Sequence, residues 1–158
     1  MRYPWYRFRR TDAPSPVVVL LLISGDQQQP VGGLFDTGTT LTLLQANIRE
    51  QLAISADQCT PQGVKGVGGV TEGLLTILDA QMIEPILTGP AAALNTEGAT
   101  FQLPVVFVEA LQTNLFGRTG LMDNFYIALE PDNLATNFSW EPGPEQWTDE
   151  VRSRLASL

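Results

Sequence analysis

The sequence has no histidine and only one cysteine, Cys59, among its 158 residues. The absence of histidine excludes Ser-His and Cys-His nucleophiles and most zinc centres. A lone cysteine cannot form an internal disulfide, which fits a reducing compartment, and we expect the protein to be cytoplasmic. Cys59 lies in a polar segment without a histidine partner, so we do not expect it to act as a nucleophile.

Charged residues and long apolar runs are also scarce. Charged residues make up 16% of the chain, and the net charge is −8. This acidic balance disfavours nucleic acid, whose phosphates require basic patches. No apolar run reaches the roughly 18 residues that cross a bilayer as a helix. We therefore expect neither nucleic acid nor a membrane as a partner.

The first ten residues depart from this acidic balance. Arg2, Arg7, Arg9 and Arg10 stand there among aromatic residues. A nucleic-acid or membrane arm is one interpretation of the pattern. The interpretation that we favour is an edge strand, in which aromatic and basic residues alternate and the charges discourage pairing with other chains.

Apolar residues are plentiful, at 44% of the chain, and glycine and proline occur 14 and 11 times. A chain of this length and apolar content can bury a core of its own. Short apolar runs that are broken by glycine and proline predict many short strands joined by turns. We expect an all-β fold, a small closed barrel with one or two short helices and a C-terminal helix.

Hydrophobic periodicity places the individual elements along the chain. The predicted strands cover residues 17–24, 31–35, 62–67, 70–80, 101–109, 115–116, 125–129 and 136–140, with turns at 25–30 and 131–133. Helical spacing predicts short helices over 45–52 and 119–124, and Pro144 starts a terminal helix. Residues 84–100 are rich in glycine, proline, alanine and asparagine and predict a long surface loop.

One aspartate directly follows an apolar pair, in the segment Leu34-Phe35-Asp36-Thr37-Gly38-Thr39-Thr40. Gly38 has no Cβ, so backbone N–H groups can approach the carboxylate. Thr37 and Thr39 add a hydroxyl group on either side of Gly38. An Asp-Thr-Gly turn alone is a weak signal, because similar turns are common.

Two further segments follow Asp36 along the chain. The first, Lys65-Gly66-Val67-Gly68-Gly69-Val70, predicts a hairpin with Gly68-Gly69 at its tip. The second is Asn114-Leu115-Phe116-Gly117-Arg118. In this order, the Asp-Thr-Gly turn, the glycine-rich hairpin and the apolar-Gly-Arg segment resemble the retropepsins, the single-domain aspartic proteases of retroviral type. The resemblance covers roughly residues 17–140 and is closest to cellular, bacterial-type members that end in a strand-turn-strand.

The resemblance implies an aspartic endopeptidase of peptide or protein substrates that needs neither a cofactor nor a metal. Asp36 would be the catalytic residue of each chain in a homodimer, because one chain supplies only one of the two carboxylates. Thr37, Gly38 and Thr39 would support the active-site loop. The protease domain would span residues 1–142, and residues 143–158 would form a helical tail packed on it or flanking it.

The resemblance also assigns roles to the two later segments. The hairpin tip would be a flap that binds an extended substrate, through the residues Gly66, Val67, Gly68 and Gly69. Gly117 and Arg118 would follow a strand that leads into a short helix packed behind the active-site loop.

Three features depart from the family pattern. Many viral members have an aspartate at the position of Thr40, where it pairs with the arginine that matches Arg118. Thr40 cannot form that ion pair, so we expect Arg118 to contact backbone carbonyls or carboxylates elsewhere. The insertion at residues 84–100 is long for a minimal retropepsin, and the tail after Glu141 has no viral counterpart.

Two other functions stay open at this point. A non-catalytic module for dimerisation or peptide binding would keep the fold without needing the carboxylate, although Asp36, Thr37 and Gly38 are all present. A self-processing element that is cut from a longer precursor is the other possibility, and Met1, taken as a natural start, counts against it.

Overall fold

The computed structural model describes residues 2–6, 15–66, 69–85, 94–95, 100–130 and 135–139, and these are mostly β-strand. Two short helices, α1 (Ala46–Gln51) and α2 (Leu121–Asn124), and one 3-10 turn at Ala56–Gln58 lie among the strands. The strands in the described residues are β1 (Arg2–Tyr6), β2 (Ser15–Ser24), β3 (Gln27–Phe35), β4 (Thr42–Gln45), β5 (Thr60–Gly66), β6 (Gly69–Met82), β7 (Glu84–Pro85), β8 (Leu94–Asn95), β9 (Phe101–Val108), β10 (Leu115–Phe116), β11 (Tyr126–Glu130) and β12 (Ala135–Ser139).

Hydrogen bonds link most of these strands in the order β11-β12-β1-β2-β3-β10-β4-β9-β6-β5. β2 pairs with β3 along its whole length, and its residues 20–23 also pair with β6. β6 is long because it pairs in turn with β5, β9 and β2. β7 and β8 form a separate two-stranded pairing.

The main hydrophobic core includes side chains from β2 and from the two strands that pair with it, β3 and β6. The sequence of β2 is rich in valine and leucine, which favour a strand that is buried on both faces. Its residues Leu20, Leu21 and Leu22 are all buried. Other large side chains that are fully buried come from β4, β6, β9, β10, α2 and the residues that directly follow α1 and β6, and they are Leu44, Leu52, Met82, Ile83, Leu103, Phe116 and Leu121. Phe101 and Phe125 close one side of this core with an edge-to-face ring contact, 5.1 Å between centroids.

Most of the predicted elements are confirmed. The strand predicted at 17–24 is β2, the strand at 101–109 is β9, and the glycine-rich hairpin is formed by β5 and β6. The closing hairpin is formed by β11 and β12, and the predicted helices correspond to α1 and to a shorter α2. The turn predicted at 131–133, most of the 84–100 segment and the helical tail at 143–158 lie outside the described residues.

The turn predicted at residues 25–30 is wrong in its extent. The chain reverses within Gly25 and Asp26, and β3 already begins at Gln27. Gly25 has a φ of 56°, which permits this tight reversal. The polar residues that follow still form a strand, because their backbone pairs with β2 whatever their side chains.

Two further strand predictions need correction. The N-terminal segment is not an edge strand, because β1 pairs with β12 through Arg2–Pro4 and with β2 through Trp5 and Tyr6. β4 was not predicted, because its leucines continue the helical spacing of α1. It forms as a strand because it lies between β10 and β9, which offer backbone partners on both sides.

No helix among the described residues is long and apolar enough to cross a membrane.

Gly73 lies where the β5–β6 hairpin packs closely against β9. A Cβ at this position would lie 2.5 Å from Val106 Cγ1 and 2.7 Å from Phe107 O. We expect Gly73→Ala to lower the free energy of unfolding by roughly 1–3 kcal/mol, because β9 cannot move away without losing its pairing. Gly63→Ala is the matched control, since its nearest atom would be Val70 Cγ1 at 3.9 Å. Urea unfolding measures both, and equal losses would contradict this close packing.

Candidate active site

The candidate catalytic loop begins where β3 ends. Phe35 is buried in the core, and the chain turns at Asp36 immediately after it. Gly38 N donates to Asp36 Oδ1 over 2.8 Å, and Thr39 Oγ1 donates to Asp36 Oδ2 over 2.7 Å. Each carboxylate oxygen therefore accepts a hydrogen bond from the loop itself, which holds the carboxylate in one orientation.

The close turn also explains two of the residue types in the Asp36 loop. A Cβ on Gly38 would lie 3.1 Å from Asp36 Oδ1, so a larger residue would press on the carboxylate. Thr39 N donates to Asp36 O over 3.2 Å, which closes the turn. Thr37 is exposed, as is Gly38, whereas Asp36 and Thr39 are half-buried. Thr37 is therefore open to solvent, whereas Asp36 is partly covered by the rest of the domain.

β10 lies directly beside this loop. It pairs parallel with β3 through Leu115 and Leu34, and antiparallel with β4 through Leu115 and Leu43. Asp36 N donates to Phe116 O over 2.9 Å. The two strands that flank the Asp36 loop are therefore held apart by a third strand that comes from a distant part of the sequence.

The residues after β10 also form hydrogen bonds with the Asp36 loop. Arg118 N donates to Thr39 O over 3.0 Å, and Thr119 N donates to Thr40 O over 2.9 Å. A Cβ on Gly117 would lie 2.5 Å from Leu41 O, so only glycine fits between the two backbones. The segment then enters α2, whose Met122 N donates to Arg118 O over 2.8 Å.

Arg118 has a different partner from the one that we expected. Its Nη2 donates to Thr40 Oγ1 over 3.2 Å. We expected backbone carbonyls or carboxylates, because threonine cannot form the ion pair of the viral enzymes. The hydroxyl instead accepts a charge-assisted hydrogen bond from the same guanidinium, so the two positions are still joined.

Asn114 holds the backbone around the candidate site in place, a role that the sequence did not reveal. Its Oδ1 accepts from Gln45 N over 2.9 Å, and its Nδ2 donates to Gly32 O over 3.0 Å. Its backbone O accepts from Leu34 N over 2.9 Å. Asn114 therefore joins β3 to the start of α1 at the entrance to β10. The only signal in the sequence is an amide side chain that directly precedes a buried strand.

A second apolar cluster, here called the outer cluster, links the loop to the glycine-rich hairpin. Its buried members are Leu43, Val106 and Val108. Partly buried side chains packed against them come from the Asp36 loop, the hairpin, β10 and the segment before it, and they are Leu41, Val64, Leu75, Leu111 and Leu115. The outer cluster thus forms an apolar surface between the candidate catalytic loop and the arm of the predicted flap.

Part of the predicted flap can be described. Gly66 and Gly69 pair with each other at the end of the β5–β6 hairpin, and Gly69 has a φ of 114°. Val67 and Gly68 lie outside the described residues. Lys65 pairs with Val70, which is 73% exposed, whereas the preceding Val64 belongs to the outer cluster. The two faces of the hairpin therefore differ, one being apolar and the other exposed.

Neither the cysteine nor a metal cluster offers an alternative centre in the described part of the chain. Burial raises the pKa of the Cys59 thiol, with a smaller opposing effect from Arg49. The thiol donates weakly to Ser55 O at 3.7 Å. Among the described residues, no three histidine, cysteine, aspartate or glutamate side chains are grouped to hold a metal ion.

No protein-family model matches the chain, and no curated protein is significantly similar to it in sequence. The function proposed below therefore rests on the residues of this chain and their geometry.

The Asn114 side chain can be tested by stability. Asn114→Ala leaves Gln45 N without its acceptor, and we expect the free energy of unfolding to fall by roughly 1–3 kcal/mol. Asn114→Asp keeps an acceptor for Gln45 N but places a carboxylate oxygen against Gly32 O, so it should lose stability as well. Gln112→Ala, which changes an exposed side chain nearby, is the control. If urea unfolding shows that Asn114→Ala is as stable as Gln112→Ala, the Asn114 side chain does not stabilise this junction.

Proposed function

We propose that this chain is a retropepsin-like aspartic endopeptidase, which hydrolyses peptide bonds with a water activated between the two Asp36 carboxylates of a homodimer. The observation that carries the proposal is the hydrogen-bonded attachment of the Asp36 loop to the segment after β10. Asp36 N and Arg118 N donate to Phe116 O and Thr39 O respectively, and Gly38 N and Thr39 Oγ1 hold the carboxylate.

The proposed chemistry needs two carboxylates with different tasks. One is ionised and takes a proton from the attacking water, while the other is protonated and donates to the carbonyl oxygen of the substrate. Like charges about 3 Å apart cannot both ionise, so the pair shares one proton. The bonds from Gly38 and Thr39 would fix how each Asp36 carboxylate faces its counterpart. The tetrahedral intermediate then collapses as the leaving nitrogen takes the proton that the first carboxylate received from water, while the second carboxylate takes back a hydroxyl proton of the intermediate.

The strand pairings support a closed barrel of the retropepsin type. They lead from β2 through β3, β10, β4, β9 and β6 and return to β2. β10 leads into α2 and lies behind the Asp36 loop, which is the arrangement that the resemblance implies. The hydrogen bond from Arg118 to Thr40 takes the place of the viral ion pair.

The outer cluster suggests what kind of substrate side chain is accommodated. Leu41 of the Asp36 loop segment, Val64 of the hairpin arm and Leu115 of β10 are partly buried and pack against the same buried side chains of the outer cluster. An extended peptide that adds to the hairpin edge would turn alternate side chains toward this surface. Apolar residues next to the cleaved bond are therefore favoured.

A peptide-binding or dimerisation module without catalysis is the alternative. It would use the same apolar surface and the same hairpin. Such a module does not require an oriented carboxylate, whereas both Asp36 oxygens are held by hydrogen bonds. This difference favours the enzyme.

Replacing Asp36 tests the catalytic role. Asp36→Asn keeps the shape of the loop but removes the shared proton, so we expect turnover of a peptide library to fall by several orders of magnitude with little change in thermal stability. Asp26→Asn, at the exposed turn between β2 and β3, is the matched control and should cleave like the wild type. Because the pair must hold one proton, wild-type activity should be bell-shaped in pH and highest on the acidic side.

Three results would contradict this proposal. Equal activity of Asp36→Asn and Asp26→Asn would show that Asp36 is not catalytic, and peptide binding without cleavage would favour the module. Activity that rises steadily to alkaline pH would contradict a carboxylate pair.

The flap role is tested at Gly69. Its φ of 114° is strained for any residue with a side chain, yet a Cβ there would meet no atom within 4 Å. We expect Gly69→Val to lower kcat/KM while thermal stability changes little, because the strain stiffens a lid that has few core contacts. Gly25→Val, at the positive φ of the β2–β3 turn where a Cβ also meets open space, is the control. Equal activity of the two variants would remove Gly69 from the flap role, and a large loss of stability would indicate a packed structural turn.

A further inference from the structure

The guanidinium of Arg118 is a positive charge beside the candidate catalytic loop. Its Nη2 donates to the Thr40 hydroxyl over 3.2 Å, and this partner carries no charge. The carboxylates of Asp36 and Asp123 accept hydrogen bonds from other groups of their own loops. Among the described residues, no carboxylate forms an ion pair with Arg118. The charge is therefore not neutralised within the described part of the chain.

The Arg118 backbone is held firmly, whereas its side chain is open to solvent. Its N donates to Thr39 O over 3.0 Å, and its O accepts from Met122 N over 2.8 Å. The side chains of Arg118 and Thr40 are both exposed. A guanidinium has five N–H donors in a planar fork, and the bond to Thr40 uses one of them. An incoming oxygen ligand can therefore bind the guanidinium without displacing the hydroxyl.

The position of Thr40 in the chain places this charge at the rim of the proposed substrate surface. Thr40 lies between Thr39, which holds the Asp36 carboxylate, and Leu41, which belongs to the outer cluster. Consecutive residues are about 3.8 Å apart, so the guanidinium lies on the order of 10 Å from the carboxylate. An extended peptide advances about 3.3 Å per residue. The substrate side chain that reaches Arg118 then belongs to a residue roughly two to four positions from the cleaved bond.

We propose that Arg118 is a specificity-determining residue, whose guanidinium binds the side-chain carboxylate of an aspartate or glutamate in the substrate peptide. This assignment rests on the proposed function, which supplies the extended peptide and the homodimer. One Arg118 then stands on each side of the cleaved bond, and an acidic residue is favoured on either side. Guanidinium and carboxylate match each other in a bidentate arrangement. Many viral members supply this carboxylate from their own chain, whereas here the substrate supplies it.

Paired peptides test this preference. The two peptides of a pair share apolar residues at the cleaved bond and differ only in glutamate or glutamine at one position. The pH is kept above the glutamate pKa of about 4.3, so that the carboxylate is ionised. We expect the wild type to favour glutamate by about two- to fivefold in kcat/KM, which is the size of an exposed ion pair. The gain should lie in KM with kcat unchanged, because a remote contact binds substrate and transition state equally.

Two variants of Thr40 separate the charge from the shape of the loop. Thr40→Asp gives Arg118 a carboxylate partner within the chain, so the preference for glutamate should disappear although Arg118 is unchanged. Thr40→Asn is the matched control, because it has nearly the same size without the charge and should keep the preference. Both comparisons are ratios between two peptides on one enzyme, so they do not depend on its basal activity. The same ratio in the two variants would overturn the proposal.

A carboxylate of the second copy is the other partner that Arg118 could have in a homodimer. Sedimentation equilibrium of Arg118→Gln, combined with the paired peptides, identifies this case. A higher dimer dissociation constant with an unchanged preference for glutamate would overturn the proposal. An unchanged dissociation constant with loss of the preference supports it.

Binding of the same peptides to the Asp36→Asn variant, followed by fluorescence anisotropy, separates this proposal from the proposed function. Tighter binding of the glutamate peptides that Thr40→Asp abolishes, with no cleavage by the wild type, contradicts the endopeptidase and supports the role of Arg118. Cleavage that requires Asp36 but is equal for glutamate and glutamine peptides supports the endopeptidase and overturns the role of Arg118. If the peptides are neither bound nor cleaved, both proposals are wrong.

Discussion

The position of β10 between β3 and β4 is the constraint on which the rest of the candidate site depends. β3 and β4 flank the Asp36 loop in sequence, and each would have an unpaired edge if β10 were absent. Unpaired backbone groups inside a domain are costly, so this gap must be filled. A strand of only two residues, Leu115 and Phe116, fills it and thereby sets the span of the loop. The position of Asp36 is thus a consequence of strand pairing.

Such an insertion demands close approach of three backbones, and particular residues permit it. A Cβ on Gly117 would lie 2.5 Å from Leu41 O, and one on Gly33 would lie 2.8 Å from Asn114 O. The Asn114 amide then satisfies backbone groups on both sides of the junction. Backbone hydrogen bonds already hold Arg118 beside the loop, so a hydroxyl partner, Thr40, is sufficient for its guanidinium.

The same sheet provides both a firmly held loop and a less restrained hairpin. β6 pairs with β9 as far as Leu74, and nearer the tip it pairs only with β5. A segment with fewer partners opens more easily than the core strands from which it extends. The proposed protease would use this difference, with a fixed carboxylate on one side of the substrate and a lid on the other. The outer cluster connects the two, so substrate would contact both at an apolar surface.

The sequence by itself determined the all-β content, the main hairpins, the short helix α1 and the carboxylate-bearing turn at Asp36. These features depend on local periodicity and turn chemistry, which neighbouring residues specify. Only the tertiary structure decided that β4 is a strand, that β1 lies inside the strand order, that Arg118 bonds to Thr40, and that Asn114 joins β3 to α1. The Asn114 bonds span 69 and 82 residues of sequence. No local pattern encodes such partners, because they become neighbours only when distant strands pair in register.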